Sequence, residues 1–145
     1  VTNRIISQSK LLLRETFDGN AEAVALALDE SHINVASNRS YNSEDVLQSA
    51  IYLAYIYALN KYTIVREMTA GKGFADVVYI PVKNDVPAMI VELKRNGCVD
   101  SALNQIRERK YFMSLEHYHG DLLFVAINYD ERTKRHECVI DKFEK

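Results

Sequence analysis

The chain has 145 residues, the size of one domain, and a chain of this size can bury roughly 70% of the surface that its unfolded form exposes. Its composition, 48% hydrophobic and 26% charged, is typical of a globular protein, and no apolar run approaches the ~20 residues that a membrane-spanning helix needs. Without a signal-peptide pattern, and with only Cys98 and Cys138 as thiols, we expect a cytoplasmic protein that does not associate with membranes. The net charge of −2 excludes a strongly basic surface over the whole chain.

The first sixty residues have the apolar spacing of helices. Residues 5–16 and 20–33 repeat apolar side chains at three- and four-residue intervals, and residues 18–20 between them supply turn and N-cap chemistry. A third helix is predicted from an N-cap at Ser43 to about Asn60.

From Lys61 onward the pattern changes to that of strands. Residues 62–69, 74–82 and 88–94 are short, turn-linked runs rich in Val, Ile and Tyr, which predict an antiparallel meander. Asp100 or Ser101 is expected to cap a helix that reaches about residue 115, and two strands follow at 122–128 and 137–140. The sequence therefore predicts an α+β domain with the order α-β-β-β-α-β-β after two extra helices.

Two segments are predicted, a helical extension at 1–38 packed on a core at 39–145. The first residue is Val1 rather than Met, from which we expect the C-terminal part of a longer protein.

Charged residues interrupt two strands that are otherwise apolar. Strand side chains alternate between faces, so Glu92 and Lys94 point the same way and Leu93 points the opposite way. The preceding strand carries Asp76 among apolar residues in the same manner. Two neighbouring strands that each supply a carboxylate make a site for a hard cation such as Mg²⁺ or Mn²⁺. The alternative is a structural ion pair of Lys94 with Glu92 or Asp76, since buried charges need partners.

The segment Gly71-Lys-Gly-Phe-Ala-Asp76, followed by Glu92-Leu-Lys94, resembles the active-site signature of the PD-(D/E)XK nuclease superfamily. The resemblance covers nearly the whole chain, and it is closest to the nuclease-like domain that follows an AAA-ATPase-like domain in bacterial and archaeal proteins. It implies a restriction-endonuclease-like core, with a central mixed sheet of about four to five strands flanked by helices. This chain has Lys72 and Phe74 where that subfamily usually has arginines.

The resemblance also implies residue roles. Asp76, Glu92 and the Leu93 carbonyl would ligate Mg²⁺, for which Mn²⁺ may substitute, and Lys94 would position or activate the attacking water. The expected partners are DNA and an AAA-ATPase-like domain in the same full-length chain.

Further residues are candidates for the active site, and each also has a simpler structural explanation. Glu44 is a possible extra metal ligand or an acidic first-turn residue that is favoured by the helix dipole. Gln105 is a possible catalytic residue or a surface glutamine, and Glu67 is expected to be solvated or paired with Arg66 or Lys72. A basic strip is a candidate for contact with a phosphate backbone, the alternative being a solvated helix face; it consists of Lys94, Arg95, Arg107, Arg109 and Lys110. The residues of the predicted nucleic-acid surface are Lys72, Arg95, Arg109, Lys110 and Tyr111.

Two functions follow from these residues. The first is a Mg²⁺-dependent deoxyribonuclease, which the complete set of Asp76, Glu92 and Lys94 favours. The second is an inactive nuclease-like module that binds nucleic acid or a partner protein beside an ATPase domain, which the acidic balance and the missing arginines favour.

Overall fold

The computed structural model describes residues 2–35, 44–67, 76–83, 85–108 and 120–143. These residues form the helices α1 (Thr2–Phe17), α2 (Ala21–Val35), α3 (Glu44–Ala54) and α4 (Val99–Glu108), and a 3₁₀ helix (Ile56–Asn60). The strands are β1 (Tyr62–Glu67), β2 (Asp76–Pro81), β3 (Ala88–Arg95), β4 (Leu122–Asp130) and β5 (Arg135–Phe143). Across the described ranges no helix is both long enough and apolar enough to cross a membrane.

All five strands form one sheet in the order β1-β2-β3-β4-β5. The pairs β1–β2, β2–β3 and β4–β5 are antiparallel, whereas β3 and β4 are parallel. Parallel neighbours need a crossover connection, and α4 lies in the segment between β3 and β4. This mixed sheet flanked by helices, with two extra helices in front, confirms the predicted fold class.

The sheet separates two apolar clusters because its side chains alternate between faces. On one face Val91, Leu93 and Ile127 pack with residues of α1, α2 and α3, including Leu12 and Leu28. On the other face the apolar residues of the sheet pack with Ala102 and Leu103 of α4, and these sheet residues are Val78, Ala88, Ile90, Leu122, Phe124 and Ala126. We call the second face the α4 face.

The predicted third helix ends earlier than its apolar spacing suggests. The α-helix stops at Ala54, and residues Ile56–Asn60 continue as a 3₁₀ helix. The backbone N–H of Tyr57 donates to Ser9 Oγ of α1 at 2.8 Å, so it is not available to an α-helical carbonyl. A tertiary contact with α1 therefore changes the helix type at this point.

The start of α4 also differs from the prediction. The helix begins at Val99, so Asp100 lies in its first turn instead of capping it. The Cys98 thiol takes the capping position, where its Sγ accepts the backbone N–H of Ser101 at 3.4 Å. Both predicted cap residues are thus inside the helix.

A buried polar cluster joins β5 to α2. Asp29 Oδ1 of α2 accepts the backbone N–H of His136 at 2.7 Å and lies 2.7 Å from its ring Nδ1. The rings of Tyr129 and His32 lie 5.0 and 5.5 Å from the His136 ring. Burial lowers the pKa of His136 and the charge of His32 acts in the same direction, while Asp29 opposes the shift.

We predict that the free energy of unfolding decreases as the pH falls below about 6.5, the ordinary pKa of histidine. In this window the unfolded chain binds a proton at His136 that the folded chain does not, so stability rises with pH and is lost in acid. Urea denaturation at a series of pH values measures the effect.

The matched variant is His136→Gln, which removes the titrating ring. Other titrating groups are common to both proteins, so the difference between the two pH profiles isolates His136. Two profiles that run parallel from pH 7 to pH 5 would contradict the prediction.

Candidate active site

Glu92 and Lys94 of β3 lie on the α4 face of the sheet. Glu92 is only 1% exposed, and Lys94 Nζ lies 3.7 Å from Glu92 Oε1 with its side chain 29% exposed. Val91 and Leu93 alternate with them and pack into the core on the opposite face. The ion pair that the sequence offered as a structural alternative is therefore present, with its carboxylate buried and its ammonium partly open to solvent.

Three acidic positions lie in one row across β1, β2 and β3. The register pairs Glu67 with Asp76 and Val77 with Val91, and one further step along β2 and β3 places position 76 opposite Glu92. Residues that are directly opposed in antiparallel strands share a face and have Cα atoms about 4.5–5.5 Å apart. The strand register thus makes positions 76 and 92 neighbours on adjacent strands.

On the other side of Glu92 and Lys94, β4 contributes Asn128. The parallel register pairs Lys94 with Asn128, which is 3% exposed, and Asn128 Oδ1 accepts the backbone N–H of Gly97 at 3.0 Å. A side chain at Gly97 would meet Lys94 Cβ at 3.6 Å and Asn128 Oδ1 at 3.7 Å. The loop after β3 therefore folds back against the base of the Lys94 side chain.

Asn96 fastens the same loop to the end of β4. It adopts a left-handed backbone with φ 55°, a conformation that asparagine tolerates better than most residues. Its N–H donates to the Tyr129 carbonyl at 2.8 Å, and its Oδ1 accepts the N–H of Glu131 at 3.0 Å. Arg95 Nε lies 3.6 Å from Glu131 Oε1. Together with the Asn128 bond, these contacts join the end of β3 to the end of β4.

The helices place two other predicted residues near the sheet. Glu44 is the first residue of α3, and Gln48 and Ile51 of that helix line a small cavity with Leu93, on the face opposite Glu92. Gln105 lies in α4, three residues after Ala102, which packs on the α4 face. The structure describes the backbone of residues 44, 76 and 105 and not their side chains, so their predicted contacts stay predictions.

Four members of the predicted nucleic-acid surface lie outside the described residues, namely Lys72, Arg109, Lys110 and Tyr111. Arg95 is exposed and pairs with Glu131 as described above.

Asn128 is the residue that the sequence analysis missed. Its signal was present, because it follows the apolar run 122–127 in the same way that Glu92 interrupts the apolar run of β3. The predicted strand ended at Asn128, whereas β4 continues to Asp130.

No group of three or more His, Cys, Asp or Glu residues that could hold a metal occurs among the residues that the structure describes. The carboxylate of Asp76 is outside this description, so the finding concerns the remaining candidates. Glu92 is the described residue that is best suited to a cation, because it presents a carboxylate on a buried, rigid strand.

A family model with the description PD-(D/E)XK nuclease superfamily matches residues 42–138. The match includes β1 to β4, α3 and α4 and reaches into β5, and it begins after the two N-terminal helices. No curated protein matches the chain.

We predict that Asn128→Ala lowers the free energy of unfolding by about 0.5–1.5 kcal/mol, because it removes a partly buried hydrogen bond to the Gly97 N–H. The substitution also exposes the Gly97 amide to exchange. Urea denaturation measures the first effect, and amide hydrogen exchange measures the second.

Two variants serve as controls for this prediction. Asn128→Asp keeps an oxygen acceptor, so protection of the Gly97 amide is retained. Ser31→Ala removes another buried hydrogen bond, from Ser31 Oγ to the Ala50 carbonyl, between α2 and α3 on the face of the sheet opposite the α4 face. It is expected to destabilise the protein and leave Gly97 exchange unchanged; unchanged Gly97 exchange in Asn128→Ala would refute the assignment.

Proposed function

Because the chain belongs to the PD-(D/E)XK nuclease superfamily, we propose that it is a Mg²⁺-dependent nuclease that hydrolyses phosphodiester bonds of DNA. The observation that carries the proposal is the burial of Glu92. Lys94 Nζ lies 3.7 Å from Glu92 Oε1, and the strand register puts position 76 of β2 opposite Glu92. Desolvating a carboxylate costs several kcal/mol, and a binding role accounts for keeping it on the α4 face.

The proposed metal ligands are Asp76, Glu92 and the Leu93 carbonyl. Glu44 is proposed as an additional carboxylate that reaches them around the end of the sheet, because α3 packs on the face opposite Glu92. An all-oxygen donor set with two carboxylates fits Mg²⁺, and Mn²⁺ fits the same donors. When bound, such a cation supplies positive charge to the scissile phosphate and acidifies the attacking water.

Lys94 acts beside these ligands as a fixed positive charge. Its ammonium has three donors and no acceptor, so it cannot compete for the cation. The Glu92 carboxylate and the Gly97 loop hold it at the partly open rim of the site, where it can orient the attacking water or stabilise charge on the phosphate. Gln105 is proposed to reach the same site from α4.

The catalytic unit is proposed to be residues 39–145, with residues 1–38 as an extension. The family match that begins at residue 42 supports this division, while Leu12 and Leu28 of the extension are buried in the shared core. An AAA-ATPase-like domain in the full-length chain is proposed to act with the nuclease, on the basis of the resemblance described above.

We predict that the purified protein cleaves DNA in Mg²⁺ or Mn²⁺ and not in EDTA, and that Lys94→Ala reduces the cleavage rate at least about 100-fold. Removal of one preorganised group that stabilises transition-state charge has effects of this order. The assay uses supercoiled and linear single-stranded DNA.

Lys142→Ala is the matched control, because Lys142 is an exposed lysine paired with Asp121 at 3.5 Å at the opposite end of the sheet. It should cleave like the wild type. Equal cleavage by wild type and Lys94→Ala would refute the site assignment, and absence of cleavage in every metal would favour the alternative function, an inactive nucleic-acid-binding or partner-binding module. The specific observations behind that alternative are the net charge of −2 and Phe74 in the glycine turn.

We further predict that Mg²⁺ or Mn²⁺ at about ten times its Kd raises the melting temperature by about 3–6 °C. This shift corresponds to an increase of about 1.4 kcal/mol in the free energy of unfolding, which a metal that binds only the folded state contributes at this concentration. In Glu92→Gln, which keeps the shape of the side chain and removes its charge, the metal-dependent shift is lost.

Differential scanning fluorimetry with and without metal measures the shift. The control is Glu131→Gln, whose carboxylate lies near Arg95 and outside the proposed ligand set. A full metal shift in Glu92→Gln would exclude Glu92 as a ligand.

A further inference from the structure

The turn between β4 and β5 is a positively charged surface at the same end of the sheet as Lys94. Residues 131–134 form this turn, and β5 begins at Arg135. The turn carries Arg132, whose side chain is 90% exposed, and Lys134 and Arg135 are exposed as well. We call these three residues the turn cations.

The geometry of the turn is set by its own backbone. Asp130 Oδ1 accepts the N–H of Arg132 at 2.8 Å, and the Asp130 carbonyl accepts the N–H of Lys134 at 2.8 Å. The bond from the Arg132 backbone is the main reason that the pKa of Asp130 is lowered. Lys134 takes a left-handed backbone with φ 58°. A defined turn fixes the backbone positions from which its cations extend, unlike the same residues on a flexible tail.

The turn is also fixed to the candidate active site. Asn96 Oδ1 accepts the N–H of Glu131, and Arg95 Nε lies 3.6 Å from the Glu131 carboxylate. Asn96 and Gly97 directly follow the strand that carries Glu92 and Lys94, so the turn and the proposed catalytic residues belong to one hydrogen-bonded unit.

The turn has a local excess of positive charge. Residues 130–135 contain three cations and two carboxylates, in a chain whose net charge is −2, and Glu92 beside Lys94 and the exposed Glu137 opposite Asn128 lie at the same end of the sheet. The two carboxylates, Asp130 and Glu131, lie 3.5 Å from Arg132 Nε and 3.6 Å from Arg95 Nε, respectively. The guanidinium groups of both pairs remain open to solvent, and that of Arg132 is the more exposed of the two, so these pairs do not prevent the arginines from binding another anion.

We propose that the turn cations bind the phosphate backbone of the DNA strand that enters the active site. The inference rests on the proposed nuclease function and names the surface that guides its substrate. Neighbouring strands are about 4.8 Å apart, so a turn between β4 and β5 lies about 5–10 Å from β3 across the sheet. Phosphates on one strand advance about 3.4 Å along the helix axis per nucleotide, so the turn meets phosphates about two or three nucleotides from the scissile bond.

The test is a double variant, Arg132→Gln with Lys134→Asn, in which asparagine keeps the left-handed backbone acceptable. Binding of a fluorescein-labelled duplex of about 20 base pairs is measured by anisotropy in EDTA, over a series of salt concentrations. We expect the Kd to increase about tenfold and the slope of log Kd against log salt to fall by about 1.8, because each phosphate contact contributes about 0.9. In the cleavage assay KM rises and kcat is unchanged.

The matched control is Lys61→Gln with Lys142→Asn, which removes two exposed lysines, 3.6 Å from Asp85 and 3.5 Å from Asp121, at the opposite end of the sheet. Both double variants lose two positive charges. If only net charge mattered, both would weaken DNA binding equally, whereas the proposal predicts nearly wild-type binding for the control. Melting temperatures of both variants verify folding.

Equal DNA binding by the turn variant and the control variant would overturn the proposal. It would also be overturned if poly-glutamate displaced the labelled DNA from the wild type as well as unlabelled DNA does, since the surface would then bind any anion. A wild type that binds DNA through the turn and cleaves none would support the surface and refute the nuclease. A wild type that cleaves, with the turn variant unchanged in KM and salt slope, would keep the nuclease and refute the surface.

Discussion

The parallel pairing of β3 with β4 is the constraint on which the site depends. Parallel strands end on the same side, so Lys94 lies beside Asn128, and the loops after β3 and β4 can bond to each other. Parallel pairing also requires a crossover, and α4 packs on the face that carries Glu92. One pairing therefore sets the neighbours of the catalytic candidates, the cover over them and the loops beside them.

The cost of this arrangement is concentrated at Glu92. A carboxylate that is 1% exposed has lost most of its hydration, and the Lys94 ammonium at 3.7 Å is one of the groups that compensate for that loss. Replacement of such a pair by apolar residues is often neutral or stabilising in proteins. A buried ion pair on a rigid strand is thus poorly explained by stability alone, and the family of the chain supplies a functional reason to keep it.

The distribution of charge is compatible with the proposed nucleic-acid substrate, although the chain as a whole is acidic. Net charge averages over the molecule, whereas a phosphate backbone senses charge within about a Debye length, roughly 8–10 Å. Cations of residues 94–95 and 132–135 come together only because β3, β4 and the start of β5 meet at one end of the sheet. An acidic composition is compatible with a basic surface when the fold groups the cations in this way.

Sequence patterns alone determined the helices, the order of the five strands, and the shared face of Glu92 and Lys94, because these depend on local periodicity. Local patterns could not predict the end of α3, where Ser9 Oγ of α1 accepts a hydrogen bond from the N–H of Tyr57. They also did not predict that the Cys98 thiol caps α4. They also gave no sign that Asn128 adjoins Lys94 or that the β4–β5 turn is tied to Asn96. Those contacts join residues far apart in the chain, so only the tertiary structure, through strand register and crossover, decided them.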